Sequence, residues 1–249
     1  MRLLAIAFAM VASIVLGACS PPTTEVSAPF LTQQESYIMA PVDNSGSDVI
    51  RSCNRKDGSG VLMSFDDSGT PEQVSAILDR LAQHEAQAAF FPTGEWALEH
   101  LDLVERMRQD GHIVGSHTHS HARLGELSTN NPDEFYAEIY PLENVTNTDP
   151  MWLRPPYEDG AYDEIVRERL TEKGVQLCTW TVDTYDWSGD TVDKMMARLT
   201  RGDEFSPQPL GEDSVILMHL QGEYTVELID AIMAHLDQSG LEVAPLPKK

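Results

Sequence analysis

The chain has 249 residues, 41% of them hydrophobic, and sets 17 Lys and Arg against 40 Asp and Glu for a formal charge of −23. That apolar content builds one substantial core, at most two, and rules out a disordered chain. The acidic field argues against nucleic acid and other polyanions as partners, favours a neutral or cationic one, and also serves solubility.

In chain order, Arg2 precedes an apolar run from Leu3 to Leu16 that is too short to span a bilayer comfortably but has the form of an export signal. Leu16-Gly17-Ala18-Cys19 resembles a bacterial lipobox. That resemblance implies removal of residues 1–18, lipid on the Cys19 sulfur and an exported envelope lipoprotein; Ser20 after the Cys leans toward the outer membrane. An ordinary secretory signal with an incidental Cys19 is the alternative. From Ser20 to Asp48, Pro, Thr, Ser and Gln recur without period, which reads as a flexible tether over 19–48 ahead of a single domain over 49–249. The two remaining cysteines, Cys53 and Cys178, either pair in an oxidising compartment or stay as two buried thiols.

A βα rhythm begins at Val61–Phe65. Thr70 then reads as an N-cap, Pro71 as the first helical residue, and Gln73 completes a capping box ahead of Val74, Ile77, Leu78 and Leu81. Further strands are expected over 88–92, 112–116, 151–154, 175–182, 214–220 and 241–246. Helices are expected over 95–110, with Leu98, Leu101, Val104 and Met107 on one face, and near 132–140, 161–173, 190–201 and 225–238. About seven strands alternating with helices predict an α/β fold with a parallel sheet or closed barrel. The stretch from Pro141 to Thr148, with the sequon Asn144-Val145-Thr146, is the least regular.

The polar clusters fall just after predicted strands, where a parallel barrel gathers its functional residues on one rim. Asp66 and Asp67 stand side by side where a strand ends; two adjacent carboxylates resist joint ionisation unless a cation lies between them, though such a pair is also an ordinary loop start. His117, His119 and His121 occur within five residues. His117 and His121, four apart, face one way on a single helical turn or a tight loop, and Asp67 supplies a third ligand with positions left open for water and substrate. His219 ends a very apolar strand, where a lone imidazole is more often a satisfied core histidine than a catalyst; a carboxylate at Asp186, after the neighbouring strand, would be the group to orient it.

Ser-Phe-Asp-Asp at 64–67, His117-Thr118 with His121, Arg154-Pro155-Pro156-Tyr157, Asp183 with Asp186-Trp187, and Leu217 with His219 resemble the five ordered motifs of the polysaccharide deacetylase family (the NodB-homology domain, carbohydrate esterase family 4). The resemblance spans roughly residues 60–245. It implies a distorted (β/α) barrel that removes acetyl groups from N-acetylated sugars with a divalent metal, usually zinc. By position, Asp67, His117 and His121 would bind the metal, Asp66 would be the general base and His219 the general acid. Arg154 would tune Asp66, and Asp186 would tune His219. The backbone N–H of Tyr157 would serve the oxyanion, while Trp187 and Leu217 would wall the acetyl pocket. The chain departs from the pattern at Ser68, where Gly is usual, at Ala122, where Pro is frequent, and at Glu158-Asp159, ahead of Gly160. Each alters a loop and none removes a proposed ligand, acid or base.

The substrate implied is an acetylated glycan of peptidoglycan or chitin-oligosaccharide type, reached from a membrane anchor and with no role for nucleic acid. A catalytically silent carbohydrate-binding lipoprotein and an O-acetyl, xylan-type esterase are the alternatives. Hydrolysis of a small amide or cyclic imide is disfavoured because such relatives tend to lack this metal set.

Overall fold

The computed structural model describes residues 42–55, 60–139, 145–148, 150–204 and 206–246, all within one compact unit, Glu35–Lys249. The expected lipobox at Cys19, the tether up to residue 41 and the sequon Asn144 lie outside them. Among the described residues, no helix is long and apolar enough to cross a membrane.

Strand β1 (Leu62–Asp67) is the centre of a parallel sheet ordered β3 (Ile113–Val114), β2 (Ala88–Pro92), β1, β7 (Val215–His219), β6 (Val182–Asp183). Strands β4 (Met151–Leu153) and β5 (Val175–Leu177) form a second parallel pair, joined to the first sheet by a bridge from Ser116 to Leu153. The result is the α/β, distorted barrel of parallel strands in one domain that the sequence predicts.

The strand count of seven is reached differently from the expectation. The run 175–182 is split: β5 pairs with β4, and β6 pairs with β7 after four residues outside any strand. The run 241–246 gives one bridge, Val243 to Val61, because Pro245 has no N–H with which to extend the ladder.

Helix α1 (Ser47–Arg51) precedes the barrel, and α2 (Pro71–Gln83) opens with the expected capping box between Thr70 and Gln73. The single helix expected over 95–110 is two, α3 (Gly94–Glu99) and α4 (Leu101–Gln109), separated at His100, whose backbone is not helical. That break re-aims the apolar face. Val104 and Met107 are buried as expected, but Leu98 and Leu101 are exposed, and Trp96, Ala97 and Leu103 are buried in their place. Helix α5 (Leu124–Asn130) has no sequence counterpart, whereas α6 (Pro132–Ala137), α7 (Glu164–Glu172), α8 (Val192–Arg201) and α9 (Thr225–Ser239) fall where expected.

Strand alternation sorts β1 into two faces. Val61, Met63 and Phe65 pack against Val74, Ile77, Leu78 and Leu81 of α2 and Leu228, Ile229 and Ile232 of α9. Leu62 belongs to an inner cluster with Ala89, Phe91, Trp152, Cys178 and Val215. Each such buried side chain contributes about 1.5–3 kcal/mol.

Residues 43–48, read from composition as the end of a tether, are docked on the domain. Asn44 is buried, its Oδ1 accepts from Leu177 N–H at 2.8 Å and its Nδ2 donates to Val175 O at 2.9 Å. Cys53 and Cys178 form a disulfide.

Candidate active site

Parallel register places the first two groups. Asp66 pairs with His219 across β1 and β7, so an acid and an imidazole 153 positions apart become neighbours on adjacent strands. Asp66 is almost fully buried. Its Oδ1 accepts from Arg154 Nη1 at 2.7 Å, and its Oδ2 lies 3.9 Å from His117 Nε2. Arg154 is fully buried, donating also to Ser64 Oγ at 2.9 Å, Cys178 O at 3.0 Å and Thr179 O at 2.8 Å. It lies 4.2 Å from the Phe91 ring centre.

Asp67 leaves strand geometry, with φ 72°. That left-handed turn lets two successive carboxylates, which strand alternation would part, both reach His117. Asp67 Oδ1 is 3.1 Å from His117 Nε2 and 2.9 Å from His121 Nε2, while Oδ2 accepts from Gln221 Nε2 at 2.7 Å. One potential ligand atom from each of Asp67, His117 and His121 lies within 4.8 Å of the others. Burial opposes the charged form of Asp67, yet hydrogen bonds from both imidazoles and Gln221 hold its carboxyl well below the ordinary range. His117 Nδ1 is bonded to Arg154 O at 2.8 Å, which leaves Nε2 as the ligand atom. One carboxylate and two imidazoles so oriented suit a divalent metal with open positions.

The two imidazoles sit on a tight loop and not on a helical turn. Thr118 and His121 both have positive φ, and the rings lie 5.0 Å apart. His119 takes no part in the triad. Glu138 fixes this loop, accepting from Ser120 N–H and Oγ, both at 2.8 Å. Six of the nine non-glycine residues with positive φ among the described residues are Asp67, Thr118, His121, Tyr157, Glu158 and Tyr185. Backbone strain is therefore concentrated at this rim, as it is at many functional sites.

His219 Nδ1 is 2.7 Å from Asp186 Oδ1, and its N–H donates to Asp186 Oδ2 at 2.8 Å. Thr225 Oγ1 donates to the same oxygen at 3.0 Å. A Cβ on Gly222 would come within 2.7 Å of it, so the turn admits no side chain there. Burial disfavours the charged imidazole, but Asp186, aided by Asp66 and Asp67, pushes the His219 pKa up to about 9. Burial pushes the neighbouring Asp183 carboxyl up to about 6, and its Oδ1 accepts from Tyr185 N–H.

Tyr157 is left-handed in a 3-10 turn whose hydrogen bonds run from Glu158 N–H to Pro155 O and from Asp159 N–H to Pro156 O, so neither uses the Tyr157 N–H. Its ring meets His121 edge-on at 4.9 Å, and the Arg123 guanidinium lies 4.0 Å above it. Tyr157 and Trp187 are exposed at the rim, and Leu217 is buried. Ser68, at the first departure from the motif, pairs with Thr93 Oγ1 at 2.9 Å. Asp159, at the third, accepts from Gly125 N–H at 2.9 Å. Ser64 stands in the first motif without a role of its own there, and Arg123, Glu138, Gln221 and Thr225 are not among the sequence candidates; lone hydroxyls, amides and single charges carry no pattern that marks them.

A family model for polysaccharide deacetylases matches residues 54–201. A peptidoglycan-N-acetylglucosamine deacetylase of Bacillus cereus is 34% identical over 75% of this chain and 66% of its own length. A second protein of that name, PgdA of Listeria monocytogenes, is 30% identical over 73% of this chain and 37% of its own. The chain thus spans just under two thirds of the first relative and little over a third of the second. Among solved structures, the peptidoglycan N-acetylglucosamine deacetylase Bc1960 superposes with a TM-score of 0.63 at 30% identity, over 75% of this chain and 85% of that one.

Proposed function

Because the chain belongs to the polysaccharide deacetylase family, we propose that it is a metal-dependent hydrolase removing acetyl groups from the N-acetylated sugars of a glycan of peptidoglycan or chitin-oligosaccharide type. The observation that carries this reading is one rim where Asp66 and His219 are strand neighbours beside the Asp67, His117 and His121 cluster. The relatives' activities point the same way.

Asp67, His117 and His121 would hold the cation, with zinc the first candidate for one carboxylate and two imidazoles. A divalent ion there would supply Lewis acidity and lower the pKa of a water bound to it to about 7. Asp66 takes the proton of the attacking water on Oδ2, since Oδ1 is held by Arg154. His219, charged below about pH 9 and anchored through Nδ1, delivers a proton from Nε2 to the departing amine. The Tyr157 N–H serves the developing oxyanion. Trp187 and Leu217 bound the space for the acetyl methyl.

The chain acts as an exported envelope lipoprotein, anchored through Cys19 in the outer membrane; the lipobox resemblance supports that placement. The decisive experiment pairs metal analysis of purified protein with an acetate-release screen over N- and O-acetylated sugars. Metal bound without acetate from any of them would sink the enzyme and leave a glycan-binding protein.

A further inference from the structure

The guanidinium of Arg154 is fully buried, and two of its acceptors are the carbonyls of Cys178 and Thr179. Those residues lie just past β5: the Cys178 N–H makes the last hydrogen bond to β4, at 2.9 Å to Leu153 O, whereas Thr179 lies beyond that ladder. Among the described residues, the first half of this extended run has β4 on one side and no strand on the other. An N-terminal strap, residues 43–55, fills that place. Leu177 N–H donates to Asn44 Oδ1 at 2.8 Å, Thr179 N–H to Ile50 O at 2.9 Å, and Arg51 Nε to Trp180 O at 3.0 Å. On the far side Arg55 donates to Gly60 O at 2.9 Å and Asp213 O at 3.1 Å.

The strap carries only a five-residue helix, too short to be stable alone. Its covalent fastening is the disulfide from Cys53 to Cys178, both fully buried, and the Cys178 sulfur is itself 3.8 Å from Arg154 Nη2. One side of Arg154 thus faces the crosslinked residue and the other faces Asp66.

We propose that the Cys53–Cys178 disulfide is a positioning element for the general base: it fixes the carbonyls that hold Arg154 against Asp66, so turnover depends on the disulfide being closed. This rests on the reading of Asp66 as the base. Opening it needs a dithiol, which donates two electrons and two protons, yields two cysteine thiols and closes to its own disulfide. The chain would then be fully active only in an oxidising compartment.

Two preparations of the full chain test this: the native protein reduced by dithiothreitol and the Cys53→Ala/Cys178→Ala variant, both assayed well below their melting temperatures. The expected result is a kcat at least tenfold lower with KM within twofold and metal content retained. In an Arg154→Lys background, loss of the disulfide should lower kcat by less than twofold further, because the pathway through Arg154 is already cut. Independently of activity, hydrogen exchange at the Arg154 Nε–H should speed up at least tenfold on reduction. A folded, reduced protein with unchanged kcat and unchanged exchange overturns the inference, as does an equal fall in the Arg154→Lys background. Faster exchange in a protein that releases no acetate when oxidised would support the positioning role and sink the deacetylase reading.

Discussion

Asp66 divides its two oxygens between a buried arginine and the reaction space, and this predicts separable losses. Asp66→Asn should abolish acetate release, by more than about 100-fold in kcat, while the protein keeps its metal; His117→Ala should lose both. Acetate assay and metal analysis of the two variants check this, and a fully active Asp66→Asn would mean the base is misassigned. As the proposed general acid, His219 would set the alkaline limit. Its pKa is raised from 6.5 to about 9, so an acid here would stay protonated through neutral pH and activity should fall on the alkaline side. A cation at Asp67 offsets the part owed to Asp66 and Asp67 and leaves the part owed to Asp186. Asp186→Asn should therefore move the alkaline limb of the kcat profile down toward the ordinary histidine range. The same shift has a stability sign: a raised folded-state pKa stabilises fully below about 6.5, and that contribution is lost as pH climbs through about 9.

At the scale of elements, the site is held by loops that two kinds of fastening keep in place. Helix α2 begins four residues after Asp67, and its capping box fixes where the chain turns out of β1. Thr70→Ala should cost about 1 kcal/mol, read as a lower melting temperature, with kcat little changed. Gly69 is packed more tightly. A Cβ there would meet Leu220 O at 2.7 Å, and Gly69 O accepts from Trp96 Nε1 at 2.7 Å. Gly69→Ala should therefore cost more stability than the cap, about 1–3 kcal/mol, and should also reduce kcat by shifting the loop that carries Asp67. Equal melting temperatures for Gly69→Ala and the parent would show that the loop can yield. Helix α3 fastens the histidine loop from the other side, since Gly94 and Glu95 donate to the carbonyls of Thr118 and His119. These are the first two N–H groups of α3, which find no acceptor within the helix.

For the whole molecule, a formal charge of −23 acts on partners before any contact forms. Repulsion from a carboxylate-bearing peptidoglycan should be screened by salt, whereas a neutral chitin oligosaccharide feels none of it. KM for the anionic substrate should thus fall as ionic strength rises, with KM for the neutral one nearly constant. Steady-state kinetics over a salt series decides the matter, and a parallel change in both would show that the net field does not reach the groove.

The sequence by itself determined the alternation of strands and helices, the capped start of α2 and the residue types of every proposed ligand, acid and base. Hydrophobic period and capping chemistry are local, and five ordered motifs are legible without coordinates. Tertiary structure decided what depends on contacts distant along the chain: the register that sets Asp66 beside His219, the division of run 175–182 between two partners, and the docking of Asn44 where composition reads a tether. It also closed a question that spacing left open, the pairing of Cys53 with Cys178. Composition cannot mark such features, because a buried polar group is stabilised by the donor or acceptor that the folded chain brings to it and not by its neighbours in sequence.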